Sequence, residues 1–133
     1  MSMIPSGTMV VVADGRQARV FRNYGDTRGL KLQQDQALDA EIAQGNGPSG
    51  SQPQENDVGE AVFAKVLAER INQAAKRHRF DHIVLVADPT TLGEMRPQLH
   101  HETKQRMLAE VAKDWTNTPL EQVEKALFEL RIG

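Results

Sequence analysis

Unbroken apolar runs alternate with helical periodicity along this chain, and the order of the two patterns outlines a fold. Two runs, Met9-Val-Val-Val-Ala-Asp14 and His82-Ile-Val-Leu-Val-Ala-Asp88, contain no polar position between their ends. A segment that exposes neither side to water reads as a strand buried on both faces. Each run stops at a turn-forming dipeptide, Asp14-Gly15 and Asp88-Pro89. A long helical pattern lies between them, so the two are predicted to be parallel neighbours joined by a crossover. Gln17-Ala-Arg-Val-Phe-Arg22 predicts a second strand, paired to the first through a tight turn, and Leu30-Lys-Leu-Gln-Gln34 alternates like an edge strand.

The helices are punctuated by their caps. Asp57 and Glu60 have capping-box spacing, and Val58, Val62, Phe63, Val66, Leu67, Ile71 and Ala74 recur at three- and four-residue steps as one apolar stripe. Lys76, Arg77, His78 and Arg79 close this helix, where cations complement the free carbonyls. Thr91 with Glu94 predicts a short helix limited by Pro97, and residues 100–106 predict a further turn or two. Thr118 is predicted as the N-cap of the last helix, with Pro119 at its first position and Leu120, Val123, Leu127 and Leu130 facing the core. Together these elements predict a single α/β domain over residues 1–133.

Residues 44–56 break the pattern. They hold glycines, prolines, serines and amides but no large apolar side chain, and so are expected to form a mobile loop. The bland reading is a solvated linker; a long loop inside a compact domain is also where function often resides.

Composition narrows the function classes. A formal charge of −2 argues against non-specific nucleic-acid binding, so no DNA partner is expected. The chain has no cysteine, which removes disulfides and thiolate metal sites and suits a cytoplasmic protein. The opening residues predict no secretory leader, and no apolar run approaches the length needed to cross a bilayer, so no membrane partner is expected.

Three groups could carry chemistry. Asp14, Gly15 and Asp88 fall at one edge of the predicted sheet, where ligands of open α/β sheets bind and where two carboxylates could hold a cation or share a proton. The bland reading makes each Asp a turn former or helix cap. Lys76, Arg77 and Arg79 form a possible phosphate-binding group, set against an ordinary solvated helix end. His100, His101 and Glu102 lack the spacing that places ligands on one helix face, so no metal site is expected. No cofactor fingerprint is present: there is no P-loop, dinucleotide motif or nucleophile elbow.

The residues also carry a resemblance. Val10-Val-Val-Ala-Asp-Gly-Arg-Gln-Ala-Arg-Val-Phe21, Phe80-Asp-His-Ile-Val-Leu-Val-Ala-Asp-Pro-Thr-Thr-Leu-Gly-Glu-Met-Arg96 and Glu110-Val-Ala-Lys-Asp-Trp-Thr-Asn-Thr-Pro119 resemble three blocks of the bacterial host-attachment protein family. That family is similar to the central domain of the archaeal and eukaryotic peptide-chain release factor. The resemblance implies a mixed five-stranded sheet of order 3-2-1-4-5, strand 2 antiparallel, with helices on both faces in the ribonuclease-H-like manner. It also implies a fifth strand within residues 104–115, where helix propensity and strand propensity are balanced.

In the release factor a Gly-Gly-Gln loop promotes peptidyl-tRNA hydrolysis. The matching positions here are Gly50, Ser51 and Gln52. Ser51 adds a Cβ where glycine moves freely, Pro53 biases Gln52 toward extended backbone, and the loop carries no Lys or Arg. The resemblance therefore implies a non-enzymatic binding protein with the ribosome or tRNA as partner, or one linked indirectly to attachment. The alternative is a small hydrolase of peptidyl-tRNA or RNA.

Overall fold

In the computed structural model, which describes residues 4–26, 28–44 and 57–130, five strands form one mixed sheet. β1 (Met9–Ala13), β2 (Ala18–Asn23), β3 (Leu32–Gln34), β4 (Ile83–Ala87) and β5 (Met107–Ala112) lie in the order β3-β2-β1-β4-β5. β2 runs antiparallel to both its neighbours, whereas β1, β4 and β5 are parallel. The helical elements are α1 (Gln36–Leu38), continued by a π-helical segment Asp39–Gln44, then α2 (Asp57–Lys76), α3 (Pro89–Met95), α4 (His101–Arg106) and α5 (Leu120–Phe128).

Both central strands are buried at every position. Strand pleating splits their residues between two cores. Met9, Val11, Ala13, Ile83, Leu85 and Ala87 pack with Leu67, Ile71, Leu92 and Met95 of α2 and α3. Val10, Val12, Val84 and Val86 face the other way, onto Val123 and Leu127 of α5. A strand with a helix layer on each side has no solvent face, which is why polar alternation is missing from its sequence.

The stripe of α2 differs from its predicted position. Leu67, Ile71 and Ala74 are buried as expected, but so are Ala64, Ala68 and Ala75, while Val62 is 55% and Val66 36% exposed. Alanines let the helix approach the sheet closely, and this rotates the buried arc away from the two valines. The end of α2 is a Schellman motif: the His78 N–H donates to the Ala75 carbonyl and the Arg79 N–H to the Ala74 carbonyl, each at 3.0 Å. His78 takes the left-handed position at φ 58°, where glycine is usual.

Caps account for the other differences. Asp88, not Thr91, is the N-cap of α3, and its carboxylate accepts the Thr91 N–H at 3.1 Å. α5 begins at Leu120 with Pro119 as N-cap and no side-chain cap, so Thr118 lies outside the helix. The expected strand within 104–115 is confined to Met107–Ala112, because residues 104–106 complete α4. The stretch 36–44, to which the sequence pattern assigns no element, is helical; Asp35 caps it by accepting the Leu38 N–H. Asp39, buried within it, accepts the Val20 N–H of β2 at 2.9 Å.

Candidate functional site

Parallel pairing of Ala13 with Ala87 brings the ends of β1 and β4 side by side, and Asp14 and Asp88 follow directly. The two carboxylates therefore leave the same edge of the sheet, as their strand-end positions imply. Each is already engaged. Asp14 Oδ1 accepts the backbone N–H groups of Arg16 and Gln17 at 2.7 and 2.8 Å, an Asx turn that reverses the chain into β2. Its Oδ2 lies 3.0 Å from the Thr116 hydroxyl. Asp88 Oδ2 caps α3, and its Oδ1 is buried without a partner among the described residues.

Thr116 ties the segment after β5 to this edge. Its hydroxyl faces Asp14 Oδ2 and, at 2.7 Å, Asp114 Oδ1. A hydroxyl carries one proton, so it serves one carboxylate at a time. Arg19 holds the same segment from β2, its guanidinium donating to the Thr116 carbonyl at 2.8 Å and the Trp115 carbonyl at 3.3 Å, while it lies 5.3 Å from the Phe21 ring centre.

Gly15 closes the edge from the other side. A Cβ there would come within 2.9 Å of the Glu60 side chain, so the first turn of α2 sits directly on the Asp14-Gly15 turn. Arg16 reaches Glu60 at 3.5 Å, an exposed pair of small energetic weight. Thus α2 starts over the turn that Asp14 holds. Gly50, Ser51 and Gln52, like the predicted loop over residues 44–56 apart from Gln44, lie outside the described residues.

The basic group lies elsewhere. Lys76, Arg77 and Arg79 are exposed at the opposite end of α2. Arg79 pairs with Glu41 at 3.2 Å, and its carbonyl accepts from Arg22 of β2 at 3.1 Å. Arg22 also pairs with Asp35 at 3.0 Å. Burial pushes the Asp35 carboxyl upward, but the Leu38 N–H and the cations Arg22 and Arg79 outweigh it and hold the group below the usual carboxylate range. The structure therefore separates the acidic edge from the basic helix end.

His100, His101 and Glu102 form no common ligand set, and no group of three or more His, Asp or Glu among the described residues is arranged to hold a metal ion. Among those residues no helix is long and apolar enough to cross a membrane. Thr116, Asp114, Glu60 and Arg19 complete the edge. The sequence carries no local signal for them, since Asp14 and Thr116 are 102 positions apart.

A mixed α/β sheet of order β3-β2-β1-β4-β5, with the long helix starting over the turn after β1, defines the class. The chain belongs to bacterial archaeo-eukaryotic release factor family 12, whose model matches residues 7–127, from the turn before β1 to Leu127 of α5. No curated protein matches the sequence.

Proposed function

We propose that the protein is a non-enzymatic binding module associated with translation, with the ribosome or tRNA as its partner. The observation that carries this reading is the commitment of Asp14: its Oδ1 accepts the backbone N–H groups of Arg16 and Gln17, and its Oδ2 shares the Thr116 hydroxyl with Asp114. A carboxylate that holds a turn and a distant loop is poorly placed to accept a substrate proton. Membership in a release-factor-related family supplies the translation context. Any link to host or surface attachment is indirect in this reading, a consequence of altered protein synthesis.

The loop sequence supports binding over hydrolysis. Ser51 replaces the second glycine of the release-factor motif, and Pro53 follows Gln52. Asp88 Oδ1, buried and unpartnered, favours the second reading, a small hydrolase of peptidyl-tRNA or RNA working at the sheet edge.

Sedimentation of tagged protein from cell lysate through a sucrose gradient tests the proposal. Comigration with ribosomal subunits or ribosomes is expected. Confinement to the top fractions at every salt concentration, and in stressed as well as growing cells, would remove the ribosomal branch.

A further inference from the structure

The face of α2 turned away from the sheet carries cations that no described side chain pairs with. A groove of about 480 Å³ lies between the 36–44 helical segment and α2, lined by Ala37, Ala40, Glu41, Arg70, Gln73 and Arg77. A second, of about 350 Å³, shares Arg70 and Gln73 and continues past Glu69 and Val66 to Lys65, so one carboxylate stands among its cations. Neither the Arg70 nor the Arg77 guanidinium has an ion-pair or hydrogen-bond partner among the described residues, although Arg70 is half-buried. Glu41 on the opposite wall is paired with Arg79.

We propose that these joined grooves bind an RNA strand, with Arg70 and Arg77 on its phosphates. Seven residues of helix set the two arginines about 10 Å apart along the axis, at a rise of ~1.5 Å per residue, so they address separate phosphates. Their planar guanidinium forks match phosphate oxygens better than lysine would. The alanine wall leaves room for a backbone. Exposed Val66, between Lys65 and Arg70 in the second groove, gives an apolar surface on which a base can lie, a pairing of charge and apolar area that a simple anion does not need. The chain's net charge of −2 does not forbid this, because the charge is unevenly placed. The choice of RNA over an acidic peptide rests on the translation-associated reading above.

Fluorescence anisotropy of the purified chain with a labelled single-stranded RNA of about 12 nucleotides, within the span such grooves cover, tests the site. The double variant Arg70→Gln/Arg77→Gln should bind at least about tenfold more weakly and lose about 1.4 from the slope of log affinity against log salt, ~0.7 for each phosphate contact removed. Arg70→Lys/Arg77→Lys should restore most of that slope, which a fold defect would not allow. Arg28→Gln, on the hairpin between β2 and β3, should bind as the natural chain does. Undiminished binding by the Gln variant, no binding by the natural chain, or equal displacement of RNA by a poly-glutamate peptide would each overturn the proposal. Comigration with ribosomes despite such a result would overturn this groove alone. RNA binding without comigration would sustain the groove and overturn the ribosomal reading.

Discussion

Asn72 accepts the Thr103 hydroxyl at 2.7 Å inside the protein, joining the C-terminal part of α2 to α4. The same Oδ1 accepts the His100 N–H at 2.9 Å, and the Asn72 amide donates to the Gln98 carbonyl at 2.9 Å. One buried side chain thus satisfies three groups in the segment that leads into β5. Asn72→Ala strands the buried Thr103 hydroxyl and two part-buried backbone groups, and a buried unsatisfied group typically costs about 1–3 kcal/mol. A loss of about 2–4 kcal/mol is expected in urea titration, with Thr103→Val alone costing about 1 kcal/mol. A double-mutant cycle with no coupling between the two sites would contradict the hub.

Leu85 lies fully buried at the centre of β4 and faces the α2 layer. Leu85→Ala should cost about 2–5 kcal/mol, the range for a buried leucine left as a cavity. Chemical denaturation checks it; an unchanged midpoint would mean that the strand is not core.

Much of the fold was legible because burial leaves a mark on sequence. β1 and β4 sit between two helix layers, and no water-facing position interrupts their apolar runs. The valines of α2 misled because pattern weighs side-chain size, whereas the sheet accepted the small face of Ala64, Ala68 and Ala75. Asn72 and Asp39 were invisible for the opposite reason: a polar residue on a helix reads as solvent-facing until the tertiary partners that satisfy it are known. Asp14 and Asp88 announced themselves through their turn dipeptides, but Thr116 and Glu60 meet Asp14 and Gly15 only through the folded chain.

His78 holds a left-handed backbone conformation that costs a side-chain-bearing residue about 1 kcal/mol. His78→Gly should therefore raise stability by up to about 1 kcal/mol, less whatever its exposed contact with Arg106, at 3.2 Å, contributes. Differential scanning calorimetry at neutral pH measures it; a lower melting temperature would mean that the imidazole contact outweighs the strain.

Acid stability should carry the signature of Asp35. Its folded-state affinity for a proton is below the ordinary value of 3.8, so the unfolded chain binds protons more readily. The stabilisation from the charged group is fully present above pH 3.8 and fades as pH falls through the lower folded value. Urea midpoints for the natural chain and Asp35→Asn should differ at neutral pH and converge in acid. A gap that stays constant across that window would exclude the carboxylate as its source.

Peptide release offers the sharpest test of the loop. Small misplacements of a reacting group typically cost about 100-fold in rate, and Ser51 and Pro53 both narrow the backbone angles open to Gln52. The natural chain, mixed with ribosome-bound peptidyl-tRNA, is expected to release no peptide. Release that disappears in Gln52→Ala would establish a hydrolase, whereas activity gained only in Ser51→Gly would locate the defect in that side chain.

Gly15 gives the sheet edge one further property. Because no methyl group stands there, the stem of Glu60 rests on the strand turn itself, and the helix begins at the lowest level the backbone permits. Height above the sheet is thereby fixed for the start of α2 at Asp57. Any larger residue at position 15 would act as a spacer under the helix, lifting its first turn away from the Asp14-Gly15 turn without altering either carboxylate.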